Sequence, residues 1–441
     1  MKARVGNIRW GIALLLAVGI IINYFDRVNL SVATNALTNE FHLTDTQIGV
    51  ILSSYLWSYT LLQIPVGELL DRIGIKWIMR TGTIIWSIAS IMTAVVSGFG
   101  LIILSRVILG IGESPAFPGS SKATGYWFPI QERGKATTAF DAAAKLSSAL
   151  GLPIIALIVT AYGWRAGFWV TGVLSLAYAI VFWLLYRNPS ESRFLSEKER
   201  TYITEGGAQQ EGAQTVNAAT NLGFLLRQRK IWGLTLSFTA YNYAFNLFLV
   251  WLPGYLQKQL HVPVLKSGLY LIIPWLVAAA ADVVIGGILV DWLTARSNDP
   301  TRVRRILFTI GMLLGTTAIG AYFTSDVNVA ITWLTISLAG LAFAAPILWS
   351  IPSLVAPRGT VGTVGGIMNS LGNLAGIVAP IVAGIIADQV GFASNFLLTG
   401  AILLAGILCF LLLLGSIEQI QAPSADASIA ASEKTGATGN V

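Results

Sequence analysis

Twelve apolar stretches, each about as long as a helix that crosses a bilayer, punctuate this 441-residue chain. They fall at roughly 11–37, 47–70, 77–98, 101–121, 137–161, 167–186, 231–256, 268–290, 305–323, 328–351, 361–387 and 393–415. Bilayer hydrocarbon is about 30 Å thick and offers backbone groups no water, so a spanning helix needs about 20 mostly apolar residues. Composition agrees: 55% of residues are hydrophobic and 11% charged, against about a quarter charged in a soluble domain. The expected fold is an all-α polytopic membrane protein with twelve transmembrane helices.

The net charge of +7 follows topology rather than a nucleic-acid footprint. Lys2, Arg4, Arg9, then Arg72, Lys76, Arg80, then Arg133 and Lys135 fall on alternate connections that share one side of the membrane. The central loop adds Arg187, Arg193, Lys198, Arg200, Arg227, Arg229 and Lys230 to that side, while Arg165, Lys258 and Lys266 fall on the other. The positive-inside rule then places both termini in the cytoplasm. Lys2, Arg4 and Arg9 imitate a signal peptide, but the run behind them is expected to remain as the first helix. The one cysteine, Cys409, allows neither a disulfide framework nor a metal cluster. The only Asn-x-Ser/Thr without proline, Asn29-Leu-Ser31, falls inside a span, which fits a bacterial inner membrane.

Six spans precede a polar stretch and six follow it. The expected organisation is an N-terminal six-helix bundle at 1–187, a cytoplasmic linker at 188–228, a C-terminal bundle at 229–415 and a disordered cytoplasmic tail at 416–441. The halves share punctuation: Gly67-x-x-x-Asp71 matches Gly287-x-x-x-Asp291, Gly151-Leu-Pro153 matches Ala379-Pro380, and Tyr162-Gly163-Trp164 matches Val390-Gly391-Phe392. Repeated six-helix units around a midplane site are a transporter architecture.

Several motifs carry a family resemblance. Gly67-Glu-Leu-Leu-Asp71-Arg72-Ile-Gly74-Ile-Lys76 resembles the loop-two/three signature of the major facilitator superfamily, with Lys76 where Arg is commoner. Arg106 and Gly151-Leu-Pro153 resemble two further motifs of that superfamily. Tyr24-Phe-Asp26-Arg27-Val-Asn29-Leu, Gly110-Ile-Gly112-Glu113-Ser-Pro-Ala-Phe-Pro118 and Trp251-Leu-Pro253-Gly-Tyr255-Leu look like its anion:cation symporter family. That family includes bacterial galactonate, hexuronate and glucarate transporters. The resemblance covers residues 10–415 and implies Asp26 and Glu113 as proton carriers and Arg27 as a carboxylate clamp. It also implies Tyr24, Tyr59, Trp349 and Asn369 as substrate contacts.

The residues support a site on their own terms. Asp26 and Arg27 interrupt the first apolar run, and a charge inside a membrane is costly unless it faces a partner or a watery cavity. In span four, Arg106 and Glu113 stand seven residues apart, two turns or about 10 Å of rise, and so share a helix face. Pairing Asp26 with Arg27 and Glu113 with Arg106 would let an anion on Arg27 and a proton on Asp26 favour one another, the reciprocity symport requires. Arginine suits the clamp because its planar fork meets a carboxylate bidentately and stays charged. Tyr55, Tyr59 and Gln63 form one stripe, and Asn369 and Asn373 another.

Asp141 and Lys145 stand at i,i+4 in span five, acid first, as a helical ion pair or with Lys145 serving a distal carboxylate. Asp282 lies deep in span eight with no basic partner in its own helix, a third proton-site candidate. Asp71, Arg72 and Asp291 fall at helix ends as gating charges. Other charges, including Glu191 to Arg200, are expected to be solvated.

The chain is therefore expected to be a proton-coupled symporter importing an organic anion, foremost a sugar acid, by rocking-bundle alternating access, as a monomer in the lipid bilayer. An aromatic dicarboxylate such as phthalate is the second cargo. Outward drug/proton antiport fits poorly with Arg27, Arg106 and Lys145 as cavity cations. No phosphate-binding Gly-x-x-x-x-Gly-Lys-Ser/Thr run and no nucleophile–base set exists, so neither a pump, an enzyme nor a cofactor is expected.

Overall fold

The computed structural model describes residues 6–208, 222–357 and 361–421, with a few side chains inside those helices, among them Asp71, Asp141 and Asp291, left outside the description. Twelve long helical rods carry the fold. Spans 1 to 6 are Ile8–Phe41, Asp45–Arg72, Ile75–Val95, Phe99–Trp127, Ile130–Tyr162 and Trp164–Leu185. Spans 7 to 12 are Arg229–Lys258, 264–296, Pro300–Phe323, Val327–Val355, Val361–Val390 and Ser394–Leu414. Among the described residues, ten of these rods contain a stretch long and apolar enough to cross a membrane. The other two, spans 2 and 7, are 28 and 30 residues long but more polar. Both pack against the opposite half, span 2 on span 11 and span 7 on span 1, and Gln257 Nε2 of span 7 donates to the Val32 carbonyl of span 1 at 3.4 Å.

Span 5 turns into span 6 at Gly163 (φ 84°), and span 11 turns into span 12 just after Gly391 (φ 90°). A side chain would strain both turns. Their matching places are the structural form of the repeated Tyr162-Gly163-Trp164 and Val390-Gly391-Phe392 signature.

The halves meet where span 1 lies along span 7, span 2 along span 11, and span 5 along span 8. At the end bearing the 42–44 loop, here called distal, this seam is sealed. Ser31 Oγ donates to the Val250 carbonyl at 2.5 Å, Lys258 pairs with Asp45, and Asp388 binds the first turn of span 2. Gly49 packs on the Pro380 backbone so closely that a Cβ there would lie 2.3 Å from its carbonyl oxygen.

At the opposite, proximal end the linker is ordered in part. The helix Glu197–Glu205 starts at Ser196, whose hydroxyl accepts from the Glu199 N–H. One expectation needs correction here. Glu199 is not solvated: its side chain is fully buried and accepts from Arg9 Nη1 at 2.9 Å. Glu191 is exposed, as expected, and pairs with Lys76 at 2.7 Å. Each carboxylate meets a basic side chain from a span end, which a reading of local sequence could not reveal. Residues 416–421 also depart from the expected tail, since Ile417 and Ile420 are buried and the Ile420 N–H donates to the Val355 carbonyl at 2.8 Å. The rest of that tail lies outside the described residues.

Candidate functional site

Span 4 brings the first acid into place. Its helix breaks just after Glu113, at Ser114-Pro115, and resumes at Ala116. Gly110 lies against the Tyr55 carbonyl and Gly112 against the Trp86 backbone, where a Cβ would sit 2.1 Å and 2.4 Å from backbone atoms. Any larger residue would push span 4 off spans 2 and 3. The two glycines therefore hold Glu113 in the middle of the first half, with no solvent exposure.

Arg27 meets it there. Arg27 Nε donates to Glu113 Oε2 at 3.1 Å, and Nη2 lies 3.1 Å from the same oxygen. Three phenol rings surround the guanidinium, with the centroids of Tyr24, Tyr55 and Tyr59 at 4.7, 5.2 and 5.2 Å. Cation–π attraction strengthens when water is excluded, and Arg27 is only 7% exposed.

Asp26 faces elsewhere. Successive residues on a helix point about 100° apart and do not meet. Its carboxylate accepts from the Ser90 hydroxyl of span 3 at 2.7 Å and the Ser175 hydroxyl of span 6 at 3.2 Å. Arg106, expected opposite Glu113, donates through Nη2 to the Asp26 backbone carbonyl at 3.1 Å. The expected pairings are thus exchanged: Glu113 holds Arg27, and Arg106 holds the backbone of Asp26.

Unpaired polar atoms concentrate at this centre. Glu113 Oε1, Arg106 Nε and Nη1, and both amide atoms of Asn23 are buried without a hydrogen-bond partner among the described residues. Buried polar groups are normally satisfied, so these atoms keep hydrogen-bonding capacity for a further partner.

The second half contributes Trp349, which is 51% exposed and packs edge-on against Phe238 at 5.1 Å. Asn369 is half-buried on span 11. Neither joins the Arg27 cluster in this arrangement. Asn242 and Asn246, which the sequence reading passed over, stand on span 7 against Gly372 and Gly376 of span 11. Ser90, Ser175 and Thr171 were also missed. Their only signal was small hydroxyls at helical spacing in spans 3 and 6, where serine often serves merely to bond its own helix.

Lys145 and Asp282 form a pair across the halves, Nζ to Oδ2 at 2.5 Å, with side chains 11% and 6% exposed. Asp282 was expected to have no basic partner in its own helix, and its partner comes from span 5 of the other half. The Asp141, Asp71 and Asp291 side chains lie outside the described residues, so the expected Asp141 pairing and the gating acids are not placed. Arg72 is exposed and pairs with Glu68 at 2.9 Å. Among the described residues no group of three His, Cys, Asp or Glu is placed to hold a metal ion.

Two half-bundles of six helices around a buried charged centre define a membrane transporter, not an enzyme. Residues 16–380 match the family model described as the Major Facilitator Superfamily, and the chain belongs to that superfamily. It is 39% identical over 420 residues to an uncharacterized transporter of Bacillus subtilis, covering 95% of this chain and 97% of the relative. It is 34% identical to a probable L-galactonate transporter of Escherichia coli (93% and 90% covered) and 31% identical to a probable galactarate/D-glucarate transporter of that organism (94% and 95%). Its fold resembles that of a bacterial homologue of the human lysosomal transporter Spinster, with a TM-score of 0.75 at 17% identity over 93% of this chain and 97% of the other.

Proposed function

We propose that the protein is a proton-coupled symporter that imports a sugar acid (an aldonate, uronate or aldarate) across a bacterial inner membrane. The observation that carries this reading is the buried Arg27–Glu113 pair. A guanidinium among three phenols is a receptor for a carboxylate, and here a carboxylate of the protein itself occupies it. An incoming carboxylate can take that place only when Glu113 lets go, and a proton on Glu113 neutralises it for that purpose. Proton and substrate therefore favour each other's binding, the reciprocity that links their movements. Similarity to proteins named for galactonate and galactarate/D-glucarate transport supports the cargo class.

In this reading Asp26, cradled by Ser90 and Ser175, carries a second proton, with Arg106 fixing its backbone. Tyr24 and Tyr59 line the clamp. Trp349 and Asn369 close on the cargo from the second half when the bundles rock. Asp71, Arg72 and Asp291 serve as proximal gate charges. The basic connections support termini in the cytoplasm; in this reading the sealed distal end is the outer one and cargo leaves through the proximal end. The transporter works as a monomer.

Purified protein in liposomes tests this directly. Labelled D-galactonate or D-glucarate should accumulate when the interior is made alkaline, and the gradient should collapse with a protonophore. Uptake that is indifferent to the pH gradient, or absent for every sugar acid tried, overturns the reading.

A further inference from the structure

The Lys145–Asp282 pair repeats the logic of Arg27–Glu113 at a second level. In each, a buried cation is held by a carboxylate of the protein, and breaking such a pair without replacement is strongly unfavourable. Whatever displaces either carboxylate must bring a negative charge of its own. The second pair also joins the two halves, since Lys145 belongs to span 5 and Asp282 to span 8.

The register of spans 1 and 5 sets the two cations at different levels of the first half. Ser147 Oγ donates to the Ile21 carbonyl at 2.8 Å, and Gly151 packs against Phe25, so spans 1 and 5 run side by side. Lys145 then stands level with about residue 19, some eight residues below Arg27 towards the proximal end. Eight residues are about 12 Å of helix, a gap that two long side chains shorten. It suits an extended six-carbon acid with a hydrogen bond at each end. Beside Arg27 the Tyr24 ring packs edge-on against Phe117, centroids 6.4 Å apart, and Phe117 packs on Phe140 at 6.1 Å, just proximal of Lys145.

Span 8 also departs from regular α-helix here. From Ala281 to Leu289 it widens into a π-helical stretch, with Asp282 as its second residue. Such stretches recur at functional sites because the wider turn shifts side chains and loosens local bonding.

We propose that Lys145 receives the distal carboxylate of a dicarboxylic sugar acid, and that Asp282 holds its place until that cargo binds. The proposal rests on Arg27 as receptor for the first carboxylate. A dicarboxylate replaces both resident carboxylates, whereas a monocarboxylate replaces one and leaves the Lys145–Asp282 tie between the halves intact. The pair thus sets the preference between aldarates and aldonates and loosens the seam only for the former.

Competition by D-glucarate and D-galactonate should be measured in proteoliposomes for the unchanged protein, Lys145→Gln, and the double variant Lys145→Gln with Asp282→Asn. The unchanged protein should prefer D-glucarate. Both variants should lower the D-glucarate to D-galactonate affinity ratio tenfold or more, the worth of one charge-assisted hydrogen bond. If Lys145→Gln is poorly folded because Asp282 has lost that cation, the double variant, with both charges of the pair removed, carries the comparison. A ratio unchanged in the double variant overturns the proposal, as does an unchanged protein that takes D-galactonate but not D-glucarate. Binding of neither acid, or an Arg27→Lys variant with undiminished affinity for both, would instead overturn the underlying reading of Arg27.

Discussion

Asp388, near the end of span 11, caps the first turn of span 2: its carboxylate accepts from the Asp45 N–H at 2.9 Å, and from the Thr46 N–H and hydroxyl at 2.8 and 2.5 Å. The next donor, the Gln47 N–H, is satisfied by Thr44 at 3.2 Å. The leading N–H groups of a helix have no partner of their own and carry partial positive charge. Here one half of the molecule completes a helix of the other, and opening the distal end must undo that cap.

Replacing Asp388 by alanine should therefore shift the protein towards a distally open state. The cap is solvent-exposed, so its loss is worth about 1 kcal/mol, or roughly a fivefold change in the closed-to-open ratio. Spin labels on His42→Cys and Val390→Cys, with Cys409→Ala, would report it as a growing long-distance population. An unchanged distance distribution would show that the cap does not bias the seal.

Arg27→Lys should weaken sugar-acid binding tenfold or more although charge is kept. An ammonium cannot offer a carboxylate the planar fork of two parallel N–H groups, nor lay a flat face among Tyr24, Tyr55 and Tyr59. Calorimetric titration of the purified variant measures the loss, and near-normal affinity would move the clamp elsewhere, with Arg106 the next candidate.

Glu113→Gln should abolish proton-driven accumulation while leaving exchange of labelled for unlabelled substrate measurable. The amide resembles the protonated acid, so it frees Arg27 permanently but can carry no proton. A variant that still concentrated cargo under a pH gradient alone would remove Glu113 from the coupling.

Asp26→Asn should behave differently in binding from Arg27→Lys, because Asp26 faces Ser90 and Ser175 rather than the clamp. Concentrative uptake should fall sharply, whereas substrate affinity should stay within about threefold, the scale of one weak hydrogen bond. A large affinity loss would mean that Asp26 shapes the clamp after all.

The helical fold was legible because apolar runs of that length leave the backbone no other solution in a bilayer. Their ends were not. Span 1 runs to Phe41 rather than residue 37, and span 5 begins at Ile130 rather than 137. Apolar content marks the hydrocarbon layer, while polar residues such as Asn39 and Glu40 continue the same helix past it. The central residues stood out for the opposite reason, since Arg27 and Glu113 are charges where charges are costly. Their pairing did not, because the two residues lie 86 positions apart and only packing joins them. The divergence of Asp26 from Arg27 was nonetheless available from helix geometry alone.

Glu199 offers a test of how the linker is tied to the first half. It lies in the helix Glu197–Glu205, yet its carboxylate accepts from the N–H groups of Ile8 and Arg9 at 3.3 and 3.2 Å and from Arg9 Nη1 at 2.9 Å. It thus caps span 1 and neutralises a buried guanidinium at once. Arg9 Nε also donates to Glu132 at 2.8 Å, and the Tyr202 hydroxyl donates to that carboxylate at 3.0 Å. That bond raises the Tyr202 phenol above its ordinary range. Glu199→Ala would leave Arg9 half-neutralised and the start of span 1 uncapped. Truncating one member of a buried pair costs about 3 kcal/mol, so the variant should melt at a clearly lower temperature in detergent. Glu199→Gln, which still accepts from the N–H groups, should recover part of that loss. If the linker helix were only resting on the surface, both variants would melt like the unchanged protein.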